Sequence, residues 1–442
     1  MTVIENQSLN INSLYLSYDG LTDPLGQSQI LPYLLGLEEK GITFYIISFE
    51  KREAFKKNEK IIRKLIAGRN IHWTPFKYIN RPPVLSTIYN LRLLWDATRK
   101  LVETHDIQVV HCRSYVTSLI GLRLKYKFGL EFFFDMRGFW ADERVEGNLW
   151  DLKNPVFNLI YRFFKRKEKE FFLHADAIIS LTDNAKEEIP KILSESPQLP
   201  KSLNQKIKTI PCCTDLTLFN RSRLSKALKT EVNEALNGSF AIRFIYIGSL
   251  GTWYMLKEML DFFECILQNG DPFQFVFLTN DDNILFDELT TRNWQDSQND
   301  KKLFKEPVKS FHHKNFLNSE IVITKAERSL VPYFIDYCDA SILFIKPSFS
   351  KKASSATKMG EALAMNKPVI TNTNWGDVDY FSSICNSILL VNEFSPASYQ
   401  KTMLELDSLI ENTTTDAFVL AKERLSLEYG IDEYLEIYKM LS

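Results

Sequence analysis

Two side chains late in the chain have the types and spacing to hold a phosphorylated ligand. In the stretch Ser354 to Asp377, S-S-A-T-K-M-G-E-A-L-A-M-N-K-P-V-I-T-N-T-N-W-G-D, Lys358 and Glu361 stand three residues apart. Thr357 to Met365 is rich in good helix formers, so the two share a helix face. A lysine there suits a phosphate, and a glutamate suits sugar hydroxyls. The helix opens after Ser354 and Ser355 and includes Thr357, hydroxyls that can cap it, and its first N–H groups and positive dipole end favour an anion. The same spacing also describes an ordinary capped helix with a solvated ion pair, which contributes little. Pro368 to Thr373 then reads as a short buried strand.

Three further stretches carry chemistry. After the strand Asn12 to Tyr18, the loop D-G-L-T-D-P-L-G-Q-S-Q precedes a helix over Ser28 to Lys40; Gly20 and Gly26 allow close backbone approach, although the spacing is not G-x-G-x-x-G. An ordinary turn explains Pro24 and Gly26 equally well. F-I-Y-I-G-S-L-G-T-W-Y-M repeats the strand, glycine turn and helix pattern at Gly248, Ser249 and Gly251. F-F-F-D-M-R-G-F-W-A-D-E-R-V-E-G-N-L-W sets Arg137, Asp142, Glu143, Arg144, Glu146 and two tryptophans after the strand Glu131 to Asp135. Aromatic faces beside charges suit a sugar, while Phe139 and Trp140 would equally anchor the loop in the core.

The elements that must position these residues alternate. Strands at 42 to 49, 71 to 76, 107 to 112 and 175 to 182 are separated by helices at 53 to 67, 84 to 104 and 155 to 174, and K-I-K-T-I-P ends the series at Pro211. Such alternation implies parallel pairing with helices on both faces, and ligands then lie beyond the carboxyl ends of the strands. That places Asp19 to Gln27, His111 to Ser114 and Asp135 to Arg144 in functional positions. A second series has strands at 242 to 247, 273 to 278, 321 to 324, 340 to 345, 368 to 373 and 388 to 391, with 281 to 307 helical. Helices at 396 to 411, 415 to 427 and 431 to 441 close it, with Gly430 breaking the last pair. The predicted class is α/β with two doubly wound, Rossmann-like domains: 1–215, a linker at 216–240, 241–427, and 428–442 as a helix returning to the first domain.

Composition excludes several classes. With 54 basic and 55 acidic residues there is no bulk charge to attract nucleic acid. Six scattered cysteines form no C-x-x-C and no Cys/His cluster, so no metal is called for. No basic and apolar leader and no run of about 18 apolar residues is present, so the expected location is cytoplasmic. The helix Pro155 to His174 sets Phe163, Phe164, Phe171 and Phe172 beside Arg162, Lys165, Arg166, Lys167 and Lys169. It suits either a cover for the sheet or peripheral contact with an anionic membrane face.

D-G-x-x-D-P-x-G-Q-S, A-D-A-I-I-S-L-T, I-P-C-C-T-D, F-I-Y-I-G-S-L and T-K-M-G-E-A-L-A-M-N-K-P-V-I, in this order, resemble the GT-B glycosyltransferases, specifically the retaining family 4 type. The resemblance implies two Rossmann-like domains facing across a cleft, a nucleotide-sugar donor on the second and a saccharide or lipid-linked saccharide acceptor on the first. It implies donor contacts from Gly26, Gly248, Ser249, Thr357, Lys358 and Glu361, with Glu361 on the ribose. Catalytic roles fall to Arg137 and Lys358, and acceptor contacts to Arg113, Trp140, Asp142 and Glu143. The implied reaction is metal-independent transfer to a hydroxyl with retention, in polysaccharide or glycoconjugate synthesis. There are three departures from the pattern: Arg137 replaces a histidine, Ser249 and Tyr254 or Met255 replace an arginine and a lysine, and Ala353 replaces the first glutamate of E-x7-E. A nucleotide-sugar 2-epimerase and a noncatalytic glycan- or partner-binding protein remain as alternatives.

Overall fold

The structure is a computed structural model that describes residues 9–194, 202–268, 270–297, 301–411 and 415–440. The chain divides into two compact units, Met1–Pro211 with Leu427–Ser442, and Cys212–Ser426.

In the first unit seven strands form one sheet: β1 Ile11–Ser17, β2 Ile42–Glu50, β3 Ile71–Lys77, β4 Val109–Arg113, β5 Glu131–Asp135, β6 Ala177–Ser180 and β7 Ile207–Thr209. Their order is β3-β2-β1-β4-β5-β6-β7, every pair parallel, as helical crossovers require. The central strands are buried on both faces, so their sequences are near-continuous apolar runs such as Phe132, Phe133 and Phe134, each fully buried, while the edge strand β3 alternates buried and exposed residues. The order in which strands are added reverses between β1 and β4, and there the strand ends align: Ser17 is opposite Arg113, and Arg113 is opposite Asp135. Charged residues are thus delivered side by side to the carboxyl edge.

The helix Leu427–Lys439 belongs to this unit. Ile431 lies so close to Gly36 of the helix Leu31–Glu38 that a Cβ on Gly36 would come 2.2 Å from Ile431 Cδ1. Gly430, expected to break the helix, is buried within it; a glycine there costs helix propensity that tertiary packing overrides.

The second unit holds an eight-stranded sheet of order β10-β13-β14-β9-β8-β15-β16-β17. The strands are β8 Ile242–Ile247, β9 Phe273–Leu278, β10 Trp294–Asp296, β13 Lys309–His313, β14 Phe316–Thr324, β15 Ala340–Leu343, β16 Val369–Asn372 and β17 Ile388–Val391, while β11 Lys302–Leu303 and β12 Glu306–Pro307 pair separately. From β14 to β17 the pairing is parallel, and β10, β13 and β14 add an antiparallel edge. The helix expected over 281 to 307 is therefore corrected. Among the described residues of that range only Asp282–Thr291 is helical; Trp294 turns into the core and starts the strands instead. Residues 216–240, read as a linker, lie within this unit, where Arg221 and Lys229 both pair with Asp336 at 2.5 and 2.6 Å.

Candidate functional site

The first cluster lies at the carboxyl ends of the second unit's strands. Beyond β8 the chain turns at Gly248, whose φ of +121° is one that only glycine adopts without strain. A Cβ there would come 2.9 Å from Lys358 Nζ, so the turn backbone and the amine are in close approach. Lys358 sits in the first turn of the helix Thr357–Ala364 and donates to the Tyr246 hydroxyl at 3.2 Å, while that hydroxyl donates to the Ser249 carbonyl. The ammonium also lies 3.6 Å from the centre of the Tyr254 ring, a cation–π arrangement. Tyr254 thus occupies the neighbourhood that a second cation was expected to fill. Burial pushes the Lys358 amine down to about 7, partly offset by the charge of Glu361.

The helix Thr357–Ala364 starts differently from the expectation. Its N-cap is Ala356 and no side chain caps it, so Ser354, Ser355 and Thr357 do not satisfy the first N–H groups. Ser355 Oγ accepts instead from the Cys212 N–H at 2.9 Å. The uncapped start retains donors for an anion. One turn on, Glu361 is buried and accepts from Arg328 Nη1 at 2.6 Å. Arg328 gave no signal in sequence because it lies 33 residues away in the loop after β14.

The second cluster is buried at the first unit's strand ends. Asp135 Oδ2 accepts from the Tyr434 hydroxyl at 3.2 Å. Arg113 Nη1 and Arg137 Nη1 each stand 3.8 Å from its carboxylate, and His111 Nε2 stands 3.9 Å away. Asp19 Oδ2 stands 3.6 Å from Arg113 Nε. Burial opposes the charge on Asp135, yet Arg137, His111 and Arg113 together hold it below the usual carboxylate range. Burial likewise keeps His111 below its ordinary value, against the pull of Asp135. Its Nδ1 bonds the Tyr438 hydroxyl at 2.9 Å, and that hydroxyl meets Ser13 Oγ at 3.0 Å. His111 Nε2, Arg113 Nε and Asp135 Oδ1 are buried without a hydrogen-bond partner. The gaps around Asp135 exceed a direct hydrogen bond. Arg137 reaches this cluster from a backbone with φ of +55°, a left-handed conformation that costs a non-glycine residue on the order of 1 kcal/mol.

Other expected residues have partners inside the chain. Gly26 is buried in the helix Pro24–Gln29, and a Cβ there would come 2.0 Å from the Gly20 carbonyl; its close approach is to its own loop. That loop is tied by Glu50, which accepts from Leu21 N–H at 2.8 Å and Thr22 N–H at 3.1 Å. Trp140 packs edge-on to Phe164 at 4.8 Å and stacks beside Tyr115, and Asp142 accepts from Tyr161 at 2.8 Å and Lys165 at 2.7 Å. Both fasten the loop to the helix Pro155–His174. Glu143 lies on the short helix Trp140–Glu146, half-buried.

Each unit is a Rossmann-like α/β domain, and the chain has the GT-B fold of glycosyltransferases. Within it, residues 33–218 match Glycosyltransferase Family 4, which the region resembles in sequence. Over 98% of its length the chain is similar to a glycosyltransferase from Rickettsia africae ESF-5, covering 98% of that chain with 14% identity and a TM-score of 0.66. Sucrose-phosphate synthase from Thermosynechococcus elongatus matches over 98% of this chain and 99% of its own, at 11% identity and TM-score 0.66. Anabaena HepE, in a complex with UDP and glucose, matches over 97% of this chain and 100% of its own, at 11% identity and TM-score 0.63. A comparison with curated proteins finds no sequence match. No helix among the described residues is long and apolar enough to cross a membrane.

Proposed function

We propose that the protein is a glycosyltransferase that takes a sugar from a nucleoside diphosphate and passes it to a hydroxyl of a saccharide or lipid-linked saccharide. The observation that carries this reading is Lys358 Nζ poised beside the Gly248 turn, with Glu361 one helical turn further on. The diphosphate lies against Lys358 and the N–H groups of the uncapped helix and the Gly248–Ser249 turn; the ribose lies on Glu361. Charge grows on the leaving diphosphate as the glycosidic bond breaks, and donors already aimed at it lower that barrier. The acceptor oxygen bonds the anomeric carbon on the face the diphosphate leaves, and its proton passes to the departing phosphate oxygen, so configuration is retained. Arg137 and Arg113 offer donors, and Asp135 an acceptor, to sugar hydroxyls in the first unit.

HepE, whose structure holds UDP and glucose, supports a nucleotide-sugar donor. For a lipid-linked acceptor the helix Pro155–His174 offers a surface: Val156, Leu159 and Phe163 are exposed at helical spacing beside exposed Arg162 and Arg166. The test is thermal unfolding with UDP, GDP, ADP and their sugars at millimolar concentration. One nucleoside diphosphate raises the melting temperature of the native chain; no shift with any of them rejects the reading.

A further inference from the structure

Glu361 does not stand alone. Its carboxylate is 5% exposed and takes Arg328 Nη1 on Oε1 at 2.6 Å, while Oε2 has no hydrogen-bond partner among the described residues. A buried carboxylate without a counter-charge is costly, so the hydrogen bond from the guanidinium decides how Glu361 is oriented. Arg328 is itself held twice. Its guanidinium lies 5.2 Å from the centre of the buried Phe219 ring, and its carbonyl accepts from the Val331 N–H at 3.3 Å, in the first turn of the helix Val331–Tyr337. A planar guanidinium lying near an aromatic ring and bonded to one carboxylate oxygen holds that oxygen in place.

We infer that Arg328 is a positioning residue for nucleotide recognition: by occupying Oε1 it leaves Oε2 of Glu361 oriented to accept hydrogen bonds from a ribose diol. This rests on the nucleotide reading of the site above and extends it to a residue outside the helix. The consequence is specific. Arg328 governs the discrimination between a nucleoside diphosphate and its 2′,3′-dideoxy analogue, and leaves the contribution of the diphosphate untouched.

The experiment uses the full chain and the one of UDP, GDP and ADP that binds it best, titrated calorimetrically against the matching dideoxy diphosphate and the monophosphate. The native chain prefers the ribose form about 10- to 100-fold, the range expected for hydrogen bonds to a charged acceptor. Arg328→Ala reduces that preference to about twofold or less while preserving the ratio of diphosphate to monophosphate affinity; Arg328→Lys, which keeps charge without the planar fork, retains an intermediate preference. A purely structural ion pair would lower the unfolding midpoint of the variants and leave the ribose preference intact, and that result overturns the inference. Tighter ribose binding by Arg328→Ala overturns it too, since Arg328 would then compete with the ligand. If the native chain binds none of the three diphosphates, the nucleotide reading itself falls and the assignment with it.

Discussion

Lys358→Met removes the ammonium beside the Gly248 turn and keeps an apolar chain of similar length between the Tyr246 and Tyr254 rings. A charge-assisted hydrogen bond to phosphate is worth about 1.5–3 kcal/mol, so the variant binds the nucleoside diphosphate about 10- to 100-fold more weakly. The pH dependence follows from the same side chain. Burial brings its pKa to about 7, so the amine is half-protonated near neutrality and loses its charge as pH rises. Only the protonated form meets a diphosphate well, and apparent affinity scales with that fraction; it falls about fivefold from pH 7 to pH 8 and levels off towards that of the methionine variant. Isothermal titration calorimetry between pH 7.0 and 8.5 reads both effects. Met variant affinity within twofold of the native chain, or native affinity that is flat across this range, refutes the argument.

Further consequences concern the scaffold. Gly26→Ala forces a Cβ into the Gly20 carbonyl and costs about 1–3 kcal/mol of stability, read as a lower urea midpoint with little change in slope. Asp135→Asn strips the counter-charge from buried Arg113 and destabilises the chain by about 3–5 kcal/mol at pH 7. Because the folded Asp135 has a lowered pKa, its contribution is present above the unfolded carboxylate value and is lost as pH falls through the folded one; the acid limb of an unfolding pH series is therefore shallower in the variant. Replacing Val156, Leu159 and Phe163 with serine removes exposed apolar area and lowers cosedimentation with anionic phospholipid vesicles, while unfolding stability changes little.

The parallel cores were legible because buried strands are short apolar runs between amphipathic helices: β5, β8, β9 and β17 begin and end where their residues predict. The antiparallel edge was legible only in the apolar end of β14, Ile321 to Thr324; β13 and the start of β14 carry Lys309, His312, Asn318 and Glu320, which do not separate them from a loop. Gly430 misled for the opposite reason, since close packing, not local propensity, decides that helix. Lys358 and Glu361 were visible because three-residue spacing is local. Arg328, Glu50, Tyr434 and Tyr438 act through the fold: Tyr438 reaches His111 across 327 residues of sequence. No pattern in the chain marks such a contact before the sheet brings its partners together.

On the proposed function, the second unit holds a nucleoside diphosphate at the Gly248 turn and the helix that follows Ala356. A crystal structure of the chain with the diphosphate that stabilises it most tests this directly. It should show phosphate oxygens within hydrogen-bond distance of Lys358 Nζ and the ribose diol on Glu361. A nucleotide bound elsewhere, with Lys358 still donating only to Tyr246, would contradict it.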